Sequence, residues 1–329
     1  MRQTLIGDSE GVKRIRRRVP MTDGGGRPGV WPGLTYARLL LATLFWGGTA
    51  VAGKLVIAEL PPLTAGVLRY GVTALLLGLA FRRRLPHLPE LGPKELGLLL
   101  AIGTLGTFLN HVLFFFGLVW APAAHGALIP PTTSPIWMLL LAARLGHERV
   151  GRAQVLGIAL CLAGVVLVIR PERLVVQGGA GVLFGDLLFA LGGFAWALYS
   201  HLSRIAMQRL SAGGILAVGM AVGSALLFPF ALAERPWAAL AAAGPVSWLA
   251  LAYLTLMGTV LAFLWWNVAI RRLGTGRTAA FSNLVPVFGV LAAWLVLGER
   301  LSPLQMLGAA LALAGVLVCQ DPTRERRLD

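Results

Sequence analysis

The chain has 329 residues, of which 57% are hydrophobic and 13% charged, and its mean hydropathy is +0.76. Soluble domains carry about 25% charged residues, so a chain this apolar is predicted to be a membrane protein with several spans. The net charge of +15 would suit a nucleic-acid-binding protein. The basic residues lie mainly in short loops and tails between apolar segments, however, so we expect no nucleic acid among the partners.

Residues 1–34 form a polar, glycine-rich tail with a basic cluster at 13–18. No apolar stretch with a cleavage site follows directly, which argues against a cleaved signal peptide. We predict a disordered tail in the cytoplasm, and a second cytoplasmic tail at 321–329.

Ten apolar segments lie between the tails, each close to the roughly 20 residues that a helix needs to cross a bilayer. Because lipid offers backbone groups no hydrogen-bond partners, each segment is predicted to be a helix, and the fold class is all-α. The predicted spans are 38–58, 62–81, 95–117, 123–143, 152–169, 182–204, 213–233, 246–269, 276–297 and 303–320.

The distribution of Lys and Arg predicts the orientation. With the N-terminus inside, most basic residues fall on the cytoplasmic side. The loops on the other side then carry Arg170, Arg173, Arg235 and Arg300. Positive charge is retained inside, so both termini are expected in the cytoplasm.

The second half of the chain repeats the first without a gap over its best-matched stretch. The residues that recur 151 positions later are Pro135 as Pro286, Glu148-Arg149 as Glu299-Arg300, Gln154 as Gln305, Gly157 as Gly308 and Gly164 as Gly315. Chance similarity between two Leu/Ala-rich helices rarely aligns all of these. The pattern therefore predicts an internal duplication, with one copy at 35–171 and the other at 182–320.

Each copy holds five predicted spans, an odd number, so the second copy should enter the membrane from the opposite side. Inverted repeats are common in secondary transporters, because two mirrored halves supply inward-open and outward-open states of similar energy. The duplication therefore predicts a transporter that works by alternating access, although it does not identify the solute.

Both halves share a set of pairs and runs with a known family. In the first half these are Trp46-Gly47, the segment 62–69, Pro135, Leu145, Glu148-Arg149, Gly157 and Gly164, and in the second half Trp266-Asn267, Leu284-Val285-Pro286, Gly298-Glu299-Arg300, Gly308 and Gly315. On these residues the chain, over about 38–320, resembles the drug/metabolite transporter superfamily, in its ten-helix branch of RhaT-like permeases with two EamA domains. The first half departs from the second by having His147 where the second has Gly298.

The resemblance implies a basket of ten helices that spans the inner membrane of a bacterium. It also implies transport of small metabolites, often amino acids or related solutes, and mostly as export. The expected partners are thus a small-molecule solute and the lipid bilayer, while the oligomeric state stays open.

Charged side chains inside spans are candidates for function, because a charge at the bilayer centre costs about 2.5–3.5 kcal/mol on insertion scales. Arg69, about one-third into the second span, either holds an anionic group such as a carboxylate or extends outward to a backbone carbonyl or water. Lys54, near the outer end of the first span, is predicted to extend to the membrane surface.

Neutral polar and aromatic residues extend the candidate site. Aromatic rings with amide groups suit a neutral or zwitterionic solute, although the two adjacent tryptophans of the eighth span could instead belong to an interfacial belt. The predicted substrate-binding residues are Trp46, Arg69, Asn110, His111, Tyr199, Trp265, Trp266, Asn267 and Asn283.

The fourth span contains Pro130, Pro131 and Pro135, and a helix with these prolines cannot keep all its backbone hydrogen bonds. We favour a kink that lines a cavity. The alternative is a kink whose carbonyls bond to the hydroxyls at 132–134.

Two further acidic features have competing interpretations. Asp186, early in the sixth span, could relay protons, but such a carboxylate is more often interfacial or a helix cap. Glu148 and Glu299 lie at helix junctions, and we expect a structural role there as N-terminal helix charges.

No pattern in the sequence indicates catalysis. The motifs HExxH, GxGD, GxSxG and GxxxxGK[ST] are absent, and Cys161 and Cys319 are expected to be buried free thiols. We therefore expect no enzyme, metal or cofactor. The alternatives to a metabolite exporter are an exporter of drug-like or other organic solutes and, less favoured, a membrane scaffold or channel.

Overall fold

The computed structural model describes residues 32–85, 91–144, 152–169, 179–273, 281 and 283–319, and these residues form helices and short connections without a strand. The helices are α1 (Pro32–Gly47), α2 (Thr49–Ile57), α3 (Pro62–Ala80), α4 (Pro93–Gly103), α5 (Asn110–Trp120), α6 (Ala123–Arg144), α7 (Arg152–Ile169), α8 (Gly179–Ala206), α9 (Ala212–Ala233), α10 (Trp237–Ala242), α11 (Pro245–Thr255), α12 (Ala262–Leu273), α13 (Leu284–Leu297) and α14 (Pro303–Cys319). The predicted all-helical class is confirmed. Residues 32–34 of the predicted N-terminal tail belong to α1, while the rest of both tails and Glu148 lie outside the described residues.

Each of the ten predicted spans contains one of these helices or a joined pair. Within the described residues, six helical stretches are long and apolar enough to cross a membrane. They begin at Gly33, Pro62, Pro93, Gly179, Ala212 and Pro245. Three shorter apolar helices lie within α7, α13 and α14. The short surface helix α10, between α9 and α11, was not predicted.

Two of the spans contain a turn of π-helix at matching places. One π-segment, Thr104–Leu109, joins α4 to α5, and the other, Leu256–Leu261, joins α11 to α12. The two segments lie 152 positions apart and share a Gly-Thr pair, at 106–107 and 258–259. A π-turn inserts an extra residue into the helix, and such turns are frequent at functional sites.

Helices α7 and α14, which are equivalent in the two sequence repeats, pack antiparallel through glycines. A Cβ added at Gly164 would lie 2.5 Å from the carbonyl oxygen of Gly308, and one added at Gly315 would lie 2.6 Å from that of Gly157. The first half of each helix thus faces the second half of the other, so the two helices are antiparallel. Gly164, Gly308 and Gly315 thus serve helix packing, since only a hydrogen side chain allows so close an approach.

Helices α3 and α9, the second helix of each repeat, also run antiparallel. Thr64 at the start of α3 donates to Glu234 just beyond the end of α9, over 2.8 Å, and Ser224 in the middle of α9 donates to the carbonyl of Val67. Equivalent helices of the two repeats are therefore oppositely directed in both pairs.

The proline-rich span α6 forms one helix whose hydroxyl side chains bond back to its own backbone. Thr132 donates to the carbonyl of Leu128 over 2.8 Å, and Ser134 donates to that of Pro130 over 2.6 Å. These bonds match the second interpretation of the segment, in which hydroxyls occupy the carbonyls of the preceding turn.

We predict that Gly164→Ala destabilises the protein by about 1–3 kcal/mol, because the new methyl group would meet backbone atoms of α14 that cannot rotate away. The measurement is the midpoint of thermal unfolding in detergent. Gly78→Ala in α3 is the matched control, because a Cβ there meets nothing within 4 Å. Equal midpoints for the two variants would contradict the tight α7–α14 contact.

Candidate functional site

Arg69 and Thr259 bring the two repeats together at the second π-segment. The Arg69 guanidinium donates to the Thr259 hydroxyl from Nη2 over 3.0 Å and from Nε over 3.2 Å. The same hydroxyl donates to the carbonyl of Leu254 over 2.8 Å, five residues back in the π-turn. Thr259 is fully buried, so the π-turn positions a hydroxyl that holds the guanidinium in place.

The guanidinium has no carboxylate partner in the described part of the chain. The ion pairs found there are His125 with Asp186 and Arg209 with Glu95. Arg69 instead lies over the ring of Tyr70, with 4.9 Å from the guanidinium carbon to the ring centroid. A cation held only by a hydroxyl and a ring keeps unused donors for an anion.

His111 supports this arrangement from behind. It is 1% exposed, its ring stacks on Phe115 at 4.1 Å between centroids, and it meets the Tyr70 ring edge-on at 5.3 Å. Its Nε2 lies 2.8 Å from the carbonyl oxygen of Pro62. Since a carbonyl can only accept, Nε2 carries the hydrogen. His111 therefore contacts Tyr70 and orients it beneath Arg69.

Five half-buried rings form a second feature, which we call the aromatic cluster. Its members are Trp46, Trp196, Tyr199, Phe263 and Trp266. The distances between ring centroids are 5.0 Å for Trp46–Trp266, 5.3 Å for Trp46–Phe263, 6.4 Å for Trp196–Phe263 and 5.0 Å for Trp196–Tyr199. The cluster draws on both repeats, with Phe263 between the tryptophans of α1 and α8.

The aromatic cluster contacts both π-segments through their glycines. Trp46 donates its indole N–H to the carbonyl of Gly258 over 3.0 Å. Tyr199 covers Gly106 so closely that any Cβ there would overlap its ring. The first helix of each repeat thus places a ring on the π-turn of the other repeat, which is the relation that inverted repeats produce.

Three other predicted site residues have contacts or positions outside the aromatic cluster and the Arg69–Thr259 pair. Asn110 donates from Nδ2 to the carbonyl of Gly192 over a long 3.4 Å. Trp265 packs against Phe45 at 5.7 Å instead of joining the aromatic cluster. Asn283 is the N-cap residue of α13 without a capping side-chain bond. The side chain of Asn267 lies outside the described residues.

Thr259, Tyr70, Trp196 and Phe263 were absent from the predicted site. The Gly-Thr pair of the π-segments was available as a signal in the sequence, since it recurs at nearly the spacing of the duplication. The Gly-Thr pairs lie 152 positions apart, whereas the duplication has an offset of 151 positions, and this difference of one residue concealed the signal. No comparable signal marked Trp196 or Phe263, because their importance comes from neighbours on other helices.

Charged side chains cap helices at the end of the bundle that holds the α5–α6 turn. Glu299 accepts the backbone N–H groups of Ala123 over 2.9 Å and Ala124 over 2.8 Å, at the start of α6. Its predicted role as an N-terminal helix charge is confirmed. Lys54, which was expected to extend to the membrane surface, donates from its ammonium to the carbonyls of Leu118 and Ala121 at the end of α5.

Two more carboxylates cap helices of the opposite repeat at the same end. Glu234, after α9, accepts the N–H of Leu63 over 3.0 Å and that of Thr64 over 2.8 Å. Glu59, after α2, accepts the N–H of Gly244, at the start of α11, over 2.7 Å. Carboxylates at helix N-termini satisfy free donors and complement the helix dipole, so these bonds hold the repeats together at this end.

Asp186 does not cap a helix. Its Oδ1 lies 2.8 Å from Nδ1 of His125 in α6, and the two residues are 0% and 3% exposed. The Nε2 of His125 lies 3.0 Å from the amide nitrogen of Gln305 in α14, which also donates to the carbonyl of Val168 over 3.0 Å. One polar chain thus joins α6, α7, α8 and α14.

The profile of the EamA-like transporter family matches the chain twice, over residues 32–170 and 183–319. A solved crystal structure superposes with a TM-score of 0.60 at 23% identity, and the match covers 90% of this chain and 99% of that one. This likeness supports the fold alone.

Curated relatives cover most of the chain. It is 29% identical to a probable amino-acid metabolite efflux pump of Salmonella typhimurium, over 88% of this chain and 95% of that protein. It is 28% identical to the uncharacterized transporter YyaM of Bacillus subtilis, over 88% and 94%. It is 26% identical to a probable terminal-alkyne amino-acid exporter of Streptantibioticus cattleyicolor, over 71% and 76%.

The two family matches together cover most of the chain, and its helices are apolar enough to cross a membrane. The protein is an integral membrane protein, and it belongs to the EamA-like transporter family.

Proposed function

We propose that the chain is a secondary transporter that exports small metabolites such as amino acids by alternating access. In this proposal ten helices cross the inner membrane of a bacterium as two inverted five-helix repeats, at 35–171 and 182–320. Both termini lie in the cytoplasm. The protein is not an enzyme in this proposal and works without a cofactor.

The antiparallel packing of equivalent helices is the observation that carries the proposal. Helices α7 and α14 are neighbours and run in opposite directions, and so do α3 and α9. Two halves with one fold and opposite directions have mirrored conformations of similar energy, which is the physical basis of alternating access. A rigid scaffold would not need two such states.

We place the solute between Arg69 and the aromatic cluster. Both features join the two repeats at π-segments in the middle of their spans, where transporters of inverted-repeat type bind their solutes. The cluster would bind the apolar part of the solute, and Arg69, held in place by Thr259, would bind a carboxylate. The remaining predicted residues, among them Asn110 and Asn283, are secondary candidates in this proposal.

The charge of the site favours a solute with a carboxylate over a cationic drug-like one. A cationic solute would need an acidic partner, and the aromatic cluster and Arg69 have none within the described residues. The positive charge of Arg69 would repel a cation instead. The names of two relatives, an efflux pump for amino-acid metabolites and an amino-acid exporter, support both the solute class and the direction.

Counterflow of radiolabelled amino acids in proteoliposomes tests the function directly. We expect a labelled solute to accumulate transiently against an excess of the same unlabelled solute inside, without any ion gradient. Absence of counterflow across a panel of amino acids and related metabolites would contradict the proposal.

We predict that Arg69→Gln raises the KM for the transported amino acid by about 10–100-fold, because a hydrogen bond to a charged group contributes about 1.5–3 kcal/mol. The measurement is the counterflow rate as a function of solute concentration. Arg209→Gln is the matched control, since it removes a guanidinium from the exposed pair with Glu95 and should leave the KM unchanged.

The carboxamide of the same amino acid sharpens this test. If Arg69 binds the carboxylate, the wild type should prefer the acid to the amide, and Arg69→Gln should transport both with similar KM. If the variant keeps the full preference for the acid, the carboxylate binds elsewhere.

We also predict that cysteines replacing Arg149 and Arg300 face opposite sides of the membrane, although the two positions are equivalent in the repeats. Each cysteine is introduced into a cysteine-free variant of the protein. In intact cells, an impermeant maleimide should label Arg300→Cys. It should label Arg149→Cys only after permeabilisation. Labelling of both from one side would exclude inverted repeats.

A further inference from the structure

The chain Asp186–His125–Gln305 has one consistent hydrogen-bond direction. The Gln305 side-chain oxygen accepts from the N–H of Ser302 over 3.0 Å, so its amide nitrogen faces His125. An amide nitrogen only donates, and Nε2 of His125 therefore accepts. Nδ1 then carries the hydrogen and donates to Asp186. The hydrogen bonds thus describe a neutral imidazole beside the carboxyl group.

The second oxygen of this carboxyl group is buried without a hydrogen-bond partner in the described part of the chain. Asp186 is 0% exposed. A neutral imidazole and an ionised carboxylate would together bury one uncompensated negative charge, which is among the costliest arrangements in a protein interior. One added proton on the carboxyl group makes the pair neutral, and it leaves Nε2 of His125 free to accept from Gln305.

Among the described residues, no charged side chain besides His125 forms an ion pair with Asp186. At this end of the elements packed around the pair, the described charged groups are Lys54 of α2 and, after α13, Glu299 and the exposed Arg300. Lys54 is bound to the carbonyls at the end of α5, and Glu299 to the N–H groups at the start of α6. Within the described part of the chain, a proton from solvent is therefore the remaining way to neutralise the pair.

We propose that Asp186 and His125 form a proton-binding site that is filled when this end of the bundle closes and emptied when it opens. Opening exposes the pair to water, which solvates an ionised carboxylate, whereas the closed and buried site disfavours that charge. Closing therefore takes up one proton at the carboxyl group. Protons on this side stabilise the closed state.

This inference rests on the proposed alternating access, and it adds a proton as the ligand that governs one of its two states. The proposed orientation places the pair on the outer side. An acidic medium outside would then hold the outer end closed, and an alkaline one would release it.

A purely structural role does not account for the pair, because the other repeat lacks it. The positions equivalent to Asp186 and Gln305 are Thr35 and Gln154, and the position equivalent to His125 is Gly276. The packing of the repeat thus does not require an acid and an imidazole at this place. Only the end with the α5–α6 turn carries both.

A cysteine reporter measures the opening of this end in purified protein. Ala124, which is 2% exposed and adjacent to His125, is replaced by cysteine in a background with Cys161→Ala and Cys319→Ala, and its maleimide labelling is timed from pH 6 to pH 8. Each rate is divided by the rate in the same reporter with Asp186→Asn. Division removes the intrinsic pH dependence of the thiol.

We expect the ratio to rise from pH 6 to pH 8, by up to about tenfold per pH unit, because closing binds one proton. Asp186→Thr, whose hydroxyl can also accept from His125, is a second uncharged reference in case one variant folds poorly. Glu95→Gln, which removes a carboxylate from an exposed ion pair elsewhere, should preserve the rise.

A ratio that is constant between pH 6 and pH 8, or a reporter that is never labelled, would overturn the proton site. Counterflow of amino acids in the same preparation separates this result from the proposed function. If counterflow occurs and the labelling ratio is constant, the proposed proton site is contradicted and the proposed transport function is supported. If the labelling ratio rises and no solute shows counterflow, the proton site is supported and the transport function is contradicted.

Discussion

Backbone groups that lose their helical partners are the constraint on which this structure depends. A bilayer cannot satisfy them, and this chain interrupts its helices repeatedly. At several interruptions a side chain from the opposite repeat supplies the bond. Trp46 binds the carbonyl of Gly258 in a π-segment, Glu299 binds the first N–H groups of α6, and Glu234 binds those of α3. The repeats are therefore joined where their own helices are incomplete.

These bonds distinguish the middle of the bundle from the end that holds the α5–α6 turn. In the middle, the partners are a neutral indole, a hydroxyl and the single cation Arg69. At the end, they are carboxylates on helix N-termini and an ammonium on carbonyls. In the proposed transport cycle, charged contacts of this kind would exchange with water as that end opens. A site in the middle keeps its geometry only while both repeats contact it.

Much of the fold could be predicted from the sequence, because hydropathy and glycine spacing are local properties. The ten apolar segments and the duplication required no knowledge of neighbours, and the recurrence of Gly157 and Gly164 as Gly308 and Gly315 marked the two helices that pack through these glycines. The partners of polar side chains were harder. Lys54 binds carbonyls more than 60 positions away, and Thr259 meets Arg69 across 190 positions. Such pairings arise from the three-dimensional arrangement of helices, which periodicity does not specify.

The glycine contact between α7 and α14 has a consequence for the origin of the molecule. Because the equivalent faces of two antiparallel helices pack on each other, one helix surface is complementary to itself. The interface of a two-fold symmetric dimer is isologous in the same way. A half-length ancestor that inserted in both directions could have assembled through that same face before any gene fusion. Joining two copies would then have demanded no new interface, only loops whose basic residues give each half its own direction.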